Sequence, residues 1–278
     1  MYKLGLIGHP IGHSMSPWIH EKLMEQQGIE GRYELLEIQP DEFDEKVNLL
    51  KEKGLDGFNV TVPYKEKIIP YLDSLDDSAR HLGAVNTVHH TDQGWIGYNT
   101  DGIGFVHSLK NRFPDIFHKN AKALLLGSGG AARGIFEALT RSNIDRVDIA
   151  NRTMKRAEDL IQDIPSKVYA SALTLEQAKN TLMDYDLIVQ TTTVGMNPDY
   201  NHMIVSLDHL TEGTVVSDIV YRPMKTKFLN EAEKRGARLH FGHEMLLQQA
   251  VYAFQIWTDT EPESSLLLNE FEQKLKGV

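Results

Sequence analysis

Ala123-Leu124-Leu125-Leu126-Gly127-Ser128-Gly129-Gly130-Ala131-Ala132 is the stretch that decides the fold of this chain. An apolar run ends in a glycine-rich turn spaced G-x-G-x-x-A, and a helical pattern follows from Ala131 to Leu139. Each small residue there meets a steric demand. Gly127 permits the tight turn, Gly129 lets backbone approach a pyrophosphate, and Ala132 lets helix and strand pack closely. The helix N-terminus then presents unpaired N–H groups and a partial positive charge to phosphates. Similar glycines also build turns that bind nothing, but the strand before and the helix after favour a dinucleotide. Gly127, Ser128, Gly129, Gly130 and Ala131 are therefore candidate cofactor-binding residues.

The next strand, Val147-Asp148-Ile149-Ala150, indicates which dinucleotide. An NAD site usually carries Asp or Glu about 20 residues beyond the glycine turn, where it accepts from the ribose 2′-hydroxyl. Here Asn151-Arg152-Thr153 occupies that position, followed by Lys155 and Arg156. The missing carboxylate removes a repulsion, and Arg152 can grip a 2′-phosphate through its planar fork. A solvated basic helix start is the plainer alternative, although cations oppose the helix dipole there. NADP is the expected cofactor.

Outward from this segment, short apolar runs alternate with amphipathic helical patterns, the signature of α/β layering around a largely parallel sheet. Strands are expected near 2–8, 32–38, 56–62, 84–89 and 95–98, with helices near 16–27, 41–53 and 73–82. The second series continues through Leu187-Ile188-Val189 and Val215-Val216-Ser217, and the chain ends in helical patterns near 243–258 and 263–276. The polar stretch from Asn111 to Lys122 suits a junction between two domains, which the length of 278 residues also suggests. A hydrophobic content of 41% is enough for a sizeable core. The net charge of −10 argues against nucleic acid or anionic membrane as partner. There is no cysteine, which excludes disulfides, thiolate metal sites and cysteine nucleophiles. No apolar run approaches the ~20 residues that span a bilayer, and His9-Pro10 comes too early for a signal peptide. A cytoplasmic protein is expected.

Polar residues recur at the ends of successive strands, where α/β sheets place ligands. Ser16 reads as a helix N-cap with Pro17 at the first helical position. Ser14 and Ser16 together read equally well as a carboxylate or phosphate site at a helix N-terminus. In Gly57-Phe58-Asn59-Val60-Thr61-Val62-Pro63, alternation sets Asn59 and Thr61 on one side, away from Phe58, Val60 and Val62. Pro63-Tyr64-Lys65 is expected to turn into a short helix, and lysines there are ordinarily solvated. Asn86 in Gly83-Ala84-Val85-Asn86-Thr87 and Asp101 in Gly97-Tyr98-Asn99-Thr100-Asp101-Gly102 have structural alternatives, a buried amide and an N-cap. Gln249 shares a stripe with Met245, Ala253 and Ile256, so it, rather than Gln248, is the better ligand candidate.

These segments resemble the shikimate dehydrogenase family. The resemblance runs in order from Gly8-His9-Pro10-Ile11-Gly12-His13-Ser14-Met15-Ser16-Pro17 through Asn59–Lys65, Gly83–Thr87, Gly97–Gly102 and the glycine turn. It then continues through Asn151-Arg152-Thr153, Val194-Gly195-Met196, Asp218-Ile219-Val220-Tyr221-Arg222-Pro223 and Gly242–Ala250. It implies reversible reduction of 3-dehydroshikimate to shikimate by NADPH, within aromatic amino acid biosynthesis. It implies an α/β fold with an N-terminal α/β substrate domain, residues 1–103 and 242–278, whose C-terminal helices return to it. The other domain is a Rossmann-type doubly wound NADP domain, residues 104–241. The implied roles are carboxylate binding for Ser14, Ser16 and Tyr221, and ring-hydroxyl binding for Asn59, Thr61, Asn86 and Gln249. Lys65 and Asp101 are implied as the catalytic pair, and Ile219, Gly242, Asn151, Arg152, Thr153 and Arg156 as cofactor contacts. The chemistry is consistent. Hydride attack on a ketone builds negative charge on oxygen, which a cation or proton donor must meet. No metal is expected, since the twelve histidines show no helical ligand pair of the H-E-x-x-H kind. The expected partner is a small molecule, and the chain a monomer or homodimer.

Two positions depart from the family pattern. Gln190-Thr191-Thr192-Thr193 stands where an Asn-Ala-Thr-Ser-like run is frequent, near the expected nicotinamide site, and Glu21 replaces a frequent asparagine. The competing readings are a quinate/shikimate dehydrogenase accepting NAD, against which the basic set at 152–156 argues, and a non-catalytic NADP-binding regulator. The regulator should have lost Lys65 or Asp101, and both are present. A folate-ring dehydrogenase would leave the paired serines and Asn86 without a reason.

Overall fold

The computed structural model describes residues 1–277. The chain divides into two compact units, Met1–Thr100 together with the chain from Leu247 onward, and Asp101–Leu246.

In the first unit the elements are β1 (Tyr2–Gly8), α1 (Ser16–Gln27), β2 (Gly31–Glu37), α2 (Phe43–Glu52), β3 (Gly57–Val60), β4 (Ser74–Leu75), α3 (Asp77–Leu82), β5 (Thr87–Thr91) and β6 (Gly94–Tyr98). The strand order is β2-β1-β3-β5-β6-β4. β1 pairs parallel with β2 and β3, but β5 runs antiparallel to both β3 and β6. This sheet is therefore mixed rather than largely parallel. The reversal comes from a tight hairpin in which the Thr91 hydroxyl donates to the Gly94 carbonyl (3.1 Å) and accepts from the Gln93 N–H (3.2 Å). Ile7, Phe58, Val60 and Val88 of the sheet pack with Phe43, Val47 and Leu50 of α2 in one buried core.

Three local expectations differ. β3 ends at Val60, and Val62 is 68% exposed rather than core-facing, because the ladder stops before it. Pro63-Tyr64-Lys65 forms turns rather than a helix. The helix expected at 73–82 is shortened to Asp77–Leu82. Asp76 caps it by accepting from the Ser78 N–H (2.9 Å), and Ser74–Leu75 instead pairs with β6.

The second unit contains α4 (Asp101–Arg112), β7 (Lys122–Leu126), α5 (Gly130–Thr140), β8 (Arg146–Ala150), α6 (Met154–Asp163), β9 (Ala172–Leu173), α7 (Leu175–Asn180), β10 (Leu187–Gln190), β11 (Val215–Asp218), α8 (Lys227–Lys234) and β12 (Arg238–Phe241). Every pairing is parallel, in the order β12-β11-β10-β7-β8-β9. This is the doubly wound order, with its switch point between β7 and β10. A parallel sheet covered on both faces buries its strands completely, which is why Leu124, Leu125 and Leu126 all have 0% exposure.

Two helices close the chain, α9 (Gly242–Thr258) and α10 (Ser264–Lys276), and the boundary between the units falls within α9. The distal part of α9 packs on the first sheet. The Trp257 indole occupies the space where a Cβ at Gly57 would sit, and its N–H donates to the Val88 carbonyl (2.9 Å). Phe271 of α10 stacks on Trp18 of α1 at 5.5 Å. The final helices thus return to the first unit. Among the described residues, no helix is long and apolar enough to cross a membrane.

Candidate active site

At the start of α1 the chain presents two serines. Met15, not Ser16, is the N-cap, and Ser16 is the first helical residue. The Ser14 hydroxyl accepts from the Ser16 N–H and donates to the Ser16 hydroxyl, both at 3.2 Å, so Ser14 does the work expected of a cap side chain. Ser16 in turn hydrogen-bonds the Tyr33 phenol. The Tyr33 hydroxyl donates to Asn59 Oδ1 (2.7 Å), and Asn59 Nδ2 donates to the Asn86 carbonyl and to Thr87 Oγ1, both 3.1 Å. Thr87 donates to Asn86 Oδ1 (2.9 Å), and Asn86 Nδ2 donates to Thr100 Oγ1 (2.9 Å). The chain runs from Ser14 to Thr100, where the Thr100 N–H (2.9 Å) and hydroxyl (3.2 Å) donate back to Asn86 Oδ1, through groups that are mostly buried. Chained hydrogen bonds of this kind polarise one another and hold their members in single rotamers.

Burial sets the protonation of this region. Burial pushes the Tyr33 phenol up and the His20 imidazole, stacked on Tyr33 at 4.4 Å, down to about 3. Both are neutral at pH 7. Thr61 and Lys65, each half-buried, are fixed by backbone bonds. The Thr61 N–H donates to the Ile7 carbonyl (2.9 Å), and the Val85 N–H donates to the Lys65 carbonyl (2.8 Å). The segment carrying Lys65 is therefore tied to the one carrying Asn86. Ser14, Ser16, Asn59, Thr61, Lys65 and Asn86 all come together in the first unit. Gln249 belongs to it by sequence position. Gln248, however, is the buried glutamine at 5% exposure, and Gln249 is half-buried. α9 is covered around most of its circumference, so stripe counting could not separate the two.

In the second unit the glycine turn follows β7. Gly127 adopts φ 120°, and a Cβ there would lie 2.6 Å from Thr192 Cγ2 and 2.7 Å from Thr191 Oγ1, so only glycine fits. The Gly127 N–H donates to the Ala150 carbonyl (2.8 Å), which joins the turn to the end of β8. Gly129 is the N-cap of α5 without a side-chain cap, and beyond Gly129 and Gly130 lies open space. The N-terminus of α5 is thus exposed and free of a side-chain cap, as a pyrophosphate site requires. Ser128 and Ala131 are half-buried at its rim. Leu126 and Ala150 are in register, so Asn151, Arg152 and Thr153 emerge beside the turn. Asn151 Nδ2 donates to the Thr153 carbonyl (2.9 Å), and Thr153 caps α6. Lys155 pairs with Asp159 (2.9 Å), whereas Arg152 and Arg156 are exposed and pair with no carboxylate among the described residues. Two uncommitted guanidinium groups beside an uncapped helix fit a dinucleotide carrying an extra phosphate.

Tyr221, Ile219 and Asp101 also belong to this unit. Tyr221 and Ile219 are half-buried in the loop after β11, and the Arg222 guanidinium lies 5.9 Å from the Tyr221 ring centre. A Cβ at Gly242 would overlap the Ile219 carbonyl, so Gly242 serves by letting α9 begin against that loop. Asp101 opens α4. Three contacts hold this helix. Gly102 touches the Gly134 backbone of α5 too closely for any side chain, His240 of β12 bonds Ser108 (3.0 Å), and Arg112 donates to Glu244 (2.8 Å).

Several polar residues of these networks escape the sequence reading. Tyr33, Thr87 and Thr100 read as ordinary strand and loop residues, although the repeated Asn-Thr pairs at 86–87 and 99–100 were a usable signal. Asp218 opens a segment that resembles the family, but only Ile219 and Tyr221 of it were given roles, and Thr226 lies in no such segment.

Three family models match the chain in order. They are a shikimate dehydrogenase substrate binding domain over residues 6–88, a shikimate / quinate 5-dehydrogenase over 109–220 and a shikimate 5′-dehydrogenase C-terminal domain over 242–265. The chain is 51% identical over 278 residues to a protein of Oceanobacillus iheyensis named shikimate dehydrogenase (NADP(+)), covering 99% of this chain and 98% of that one. It is 42% identical over 276 residues to a protein of the same name from Staphylococcus haemolyticus, covering 99% of this chain and 100% of that one. The crystal structure of a Thermus thermophilus shikimate 5-dehydrogenase in complex with NADP(H) and shikimate is also similar. Its TM-score is 0.84 at 34% identity, over 95% of this chain and 96% of that one.

Proposed function

The chain belongs to the shikimate dehydrogenase family, and we propose that it catalyses the reversible, NADP-dependent reduction of 3-dehydroshikimate to shikimate. The observation that carries this reading is the ordered match of substrate-domain and dehydrogenase-domain models along one chain whose strand ends carry the polar set described above. The unit beginning at Met1 is the substrate domain, and the unit Asp101–Leu246 holds NADP.

NADPH, when bound, supplies the hydride. Lys65 donates a proton to the carbonyl oxygen as negative charge builds there, and takes it back in the oxidation direction. Asp101 accepts from a substrate hydroxyl and completes the proton-handling pair. Ser14, Ser16 and Tyr221 hold the substrate carboxylate, the two serine hydroxyls rotating from their bonds to Ser16 and Tyr33 to donate to it. Thr61, Asn86 and Gln249 bond ring hydroxyls. Asn59 acts on the substrate only through Asn86, because both of its amide hydrogens are already donated inside the unit. The 127–131 turn cradles the pyrophosphate, and Arg152 and Arg156, with Asn151 and Thr153, take the 2′-phosphate. Ile219, held against Gly242, borders the cofactor.

The test follows NADPH absorbance with NADP and shikimate, NADP and quinate, and NAD with each. Turnover confined to NADP and shikimate is expected. Activity mainly with quinate or NAD would transfer the assignment to the quinate/shikimate class. Lys65→Ala should lower kcat by about 10²–10⁴-fold with shikimate binding nearly intact. Arg152→Gln should raise the KM for NADP by about 10–100-fold, from the loss of charge-assisted bonds, with kcat nearly unchanged.

A further inference from the structure

We propose that Asp218 is a positioning residue for this reaction, its carboxylate fastening together the two loops, 191–195 and 219–226, that border the cofactor and carry Tyr221. The proposal rests on the functional reading above and deepens it.

Asp218 ends β11 with 0% exposure, beside Gln190 at the end of β10. Its Oδ1 accepts from the Val220 N–H (2.9 Å) and from Gln190 Nε2 (3.1 Å), and its Oδ2 accepts from the Thr226 hydroxyl (2.7 Å). The loop 219–226 is thus tied to the carboxylate at both ends. Gln190 extends the hold to the other loop. Its Nε2 also donates to the Val194 carbonyl (3.0 Å), and its Oε1 accepts from the Thr192 hydroxyl (2.6 Å) and N–H. Backbone bonds reinforce the pairing, from the Ile219 N–H to the Gln190 carbonyl (3.1 Å) and from the Asn197 N–H to the Arg222 carbonyl (3.4 Å). Each loop also meets a glycine already placed at the cofactor. Thr191 and Thr192 lie under Gly127, and Ile219 and Val220 lie against Gly242.

The donor count explains why a carboxylate stands here. The Thr226 hydroxyl accepts from the Leu229 N–H (3.3 Å) at the start of α8 and gives its one proton to Oδ2, which as a carboxylate oxygen can only accept. An asparagine amide would set a second donor against that oxygen. Among the described residues no cation pairs with Asp218, and burial raises its carboxyl to about 6 despite the three donors. Keeping a charge there costs stability. A residue serving the fold alone would gain from being neutral; one that must fix two loops at once needs all three acceptor directions.

The experiment compares Asp218→Ala and Asp218→Asn with the parent protein. It measures kcat, the KM for shikimate, and Kd by calorimetry for NADP and for 2′,5′-ADP, which lacks the nicotinamide half. In Asp218→Ala, kcat should fall about 10²-fold from misplacement of the loops. The Kd for NADP should rise about tenfold while that for 2′,5′-ADP stays within about twofold, since that fragment meets only the glycine turn and the 151–156 set. Asp218→Asn, which keeps the Oδ1 bonds, should recover part of both losses. A lowered melting temperature with kcat and both Kd values unchanged would overturn the proposal, as would equal weakening of NADP and 2′,5′-ADP. If Asp218→Ala does not fold, Thr226→Val and Gln190→Met decide it by the same split, and its absence in both counts against the proposal. A parent protein that binds NADP but does not oxidise shikimate would sink the functional reading, leaving Asp218 to be judged on the Kd split.

Discussion

The two units hold their polar residues by different means. In the first, hydroxyls and amides form a chain from Ser14 through Tyr33, Asn59, Thr87 and Asn86 to Thr100, with every member neutral. In the second, three donors from two segments converge on one buried carboxylate, Asp218. A chain distributes its energy over many modest bonds, each contributing about 1 kcal/mol net. A hub concentrates it on one group whose charge depends on pH. The first arrangement suits side chains that must present hydroxyl-sized contacts in fixed order. The second suits loops that must be held as bodies.

The largest effect that would break this contrast is expected at Asn59, which joins the Tyr33 end of the chain to the Asn86 end. Asn59→Leu keeps the volume but leaves the Tyr33 O–H without an acceptor and takes one donor each from Thr87 and the Asn86 carbonyl, at about 1 kcal/mol apiece. A loss of about 3 kcal/mol in urea unfolding should follow, and it should be the same at pH 6 and pH 8 because nothing in the chain titrates between them. A loss that grew towards pH 6 would show that a charged group is hidden in the chain.

Proton linkage sharpens the same contrast. His20 in the first unit and His240 in the second are held near 3 by burial, below the ordinary 6.5. Their unfolded forms take up protons first, so the stability they contribute is complete above pH 6.5 and is lost as pH falls from there towards 3. Asp218 works in the opposite sense. Its folded value of about 6 lies above the ordinary 3.8, so its contribution grows as pH falls through that window and is lost as pH rises through 6. Each group acts at up to about 1.4 kcal/mol per pH unit. Between pH 6 and 4, Asp218→Asn should therefore steepen the acid loss of stability by about that slope, and His240→Gln should flatten it by a similar amount. Urea midpoints across the range measure both. An unchanged slope in Asp218→Asn would mean that Asp218 titrates alike in the folded and unfolded states.

How far these features could be foreseen follows the same division. The glycine turn, Arg152 and the doubly wound unit were legible because a strand, a turn and a helix are contiguous in sequence, and their small residues have local steric reasons. The Ser14, Thr61, Lys65 and Asn86 positions were legible as polar residues at strand ends. The links among them were not, because Tyr33 reaches Asn59 across 26 positions and looks like any strand tyrosine. Ser16 was misread as a cap because Ser-Pro fits that role in isolation, whereas the hydroxyl of Ser14 performs it. The antiparallel β5 was masked by apolar runs that read alike in either direction. Asp218 was hidden because its partners Gln190 and Thr226 are assembled only by the parallel register of β10 and β11.

The smallest expected effect isolates a single link of the neutral chain. Tyr33→Phe removes one hydroxyl, leaving Asn59 Oδ1 without its 2.7 Å donor and Ser16 without its acceptor. The ring itself should stay, since it lies nearly parallel to His20, at 8° and 4.4 Å. Stability should therefore fall by about 2 kcal/mol, the net worth of two buried neutral bonds. His20 owes its depressed value to burial, and the phenylalanine ring preserves that burial, so the loss should be equal at pH 8 and pH 5. The KM for shikimate should rise slightly while kcat holds, because Ser16 loses its orientation but Lys65 does not. A drop confined to pH 5 would instead assign the phenol to the protonation of His20, and the first unit would then have a titratable hub of its own.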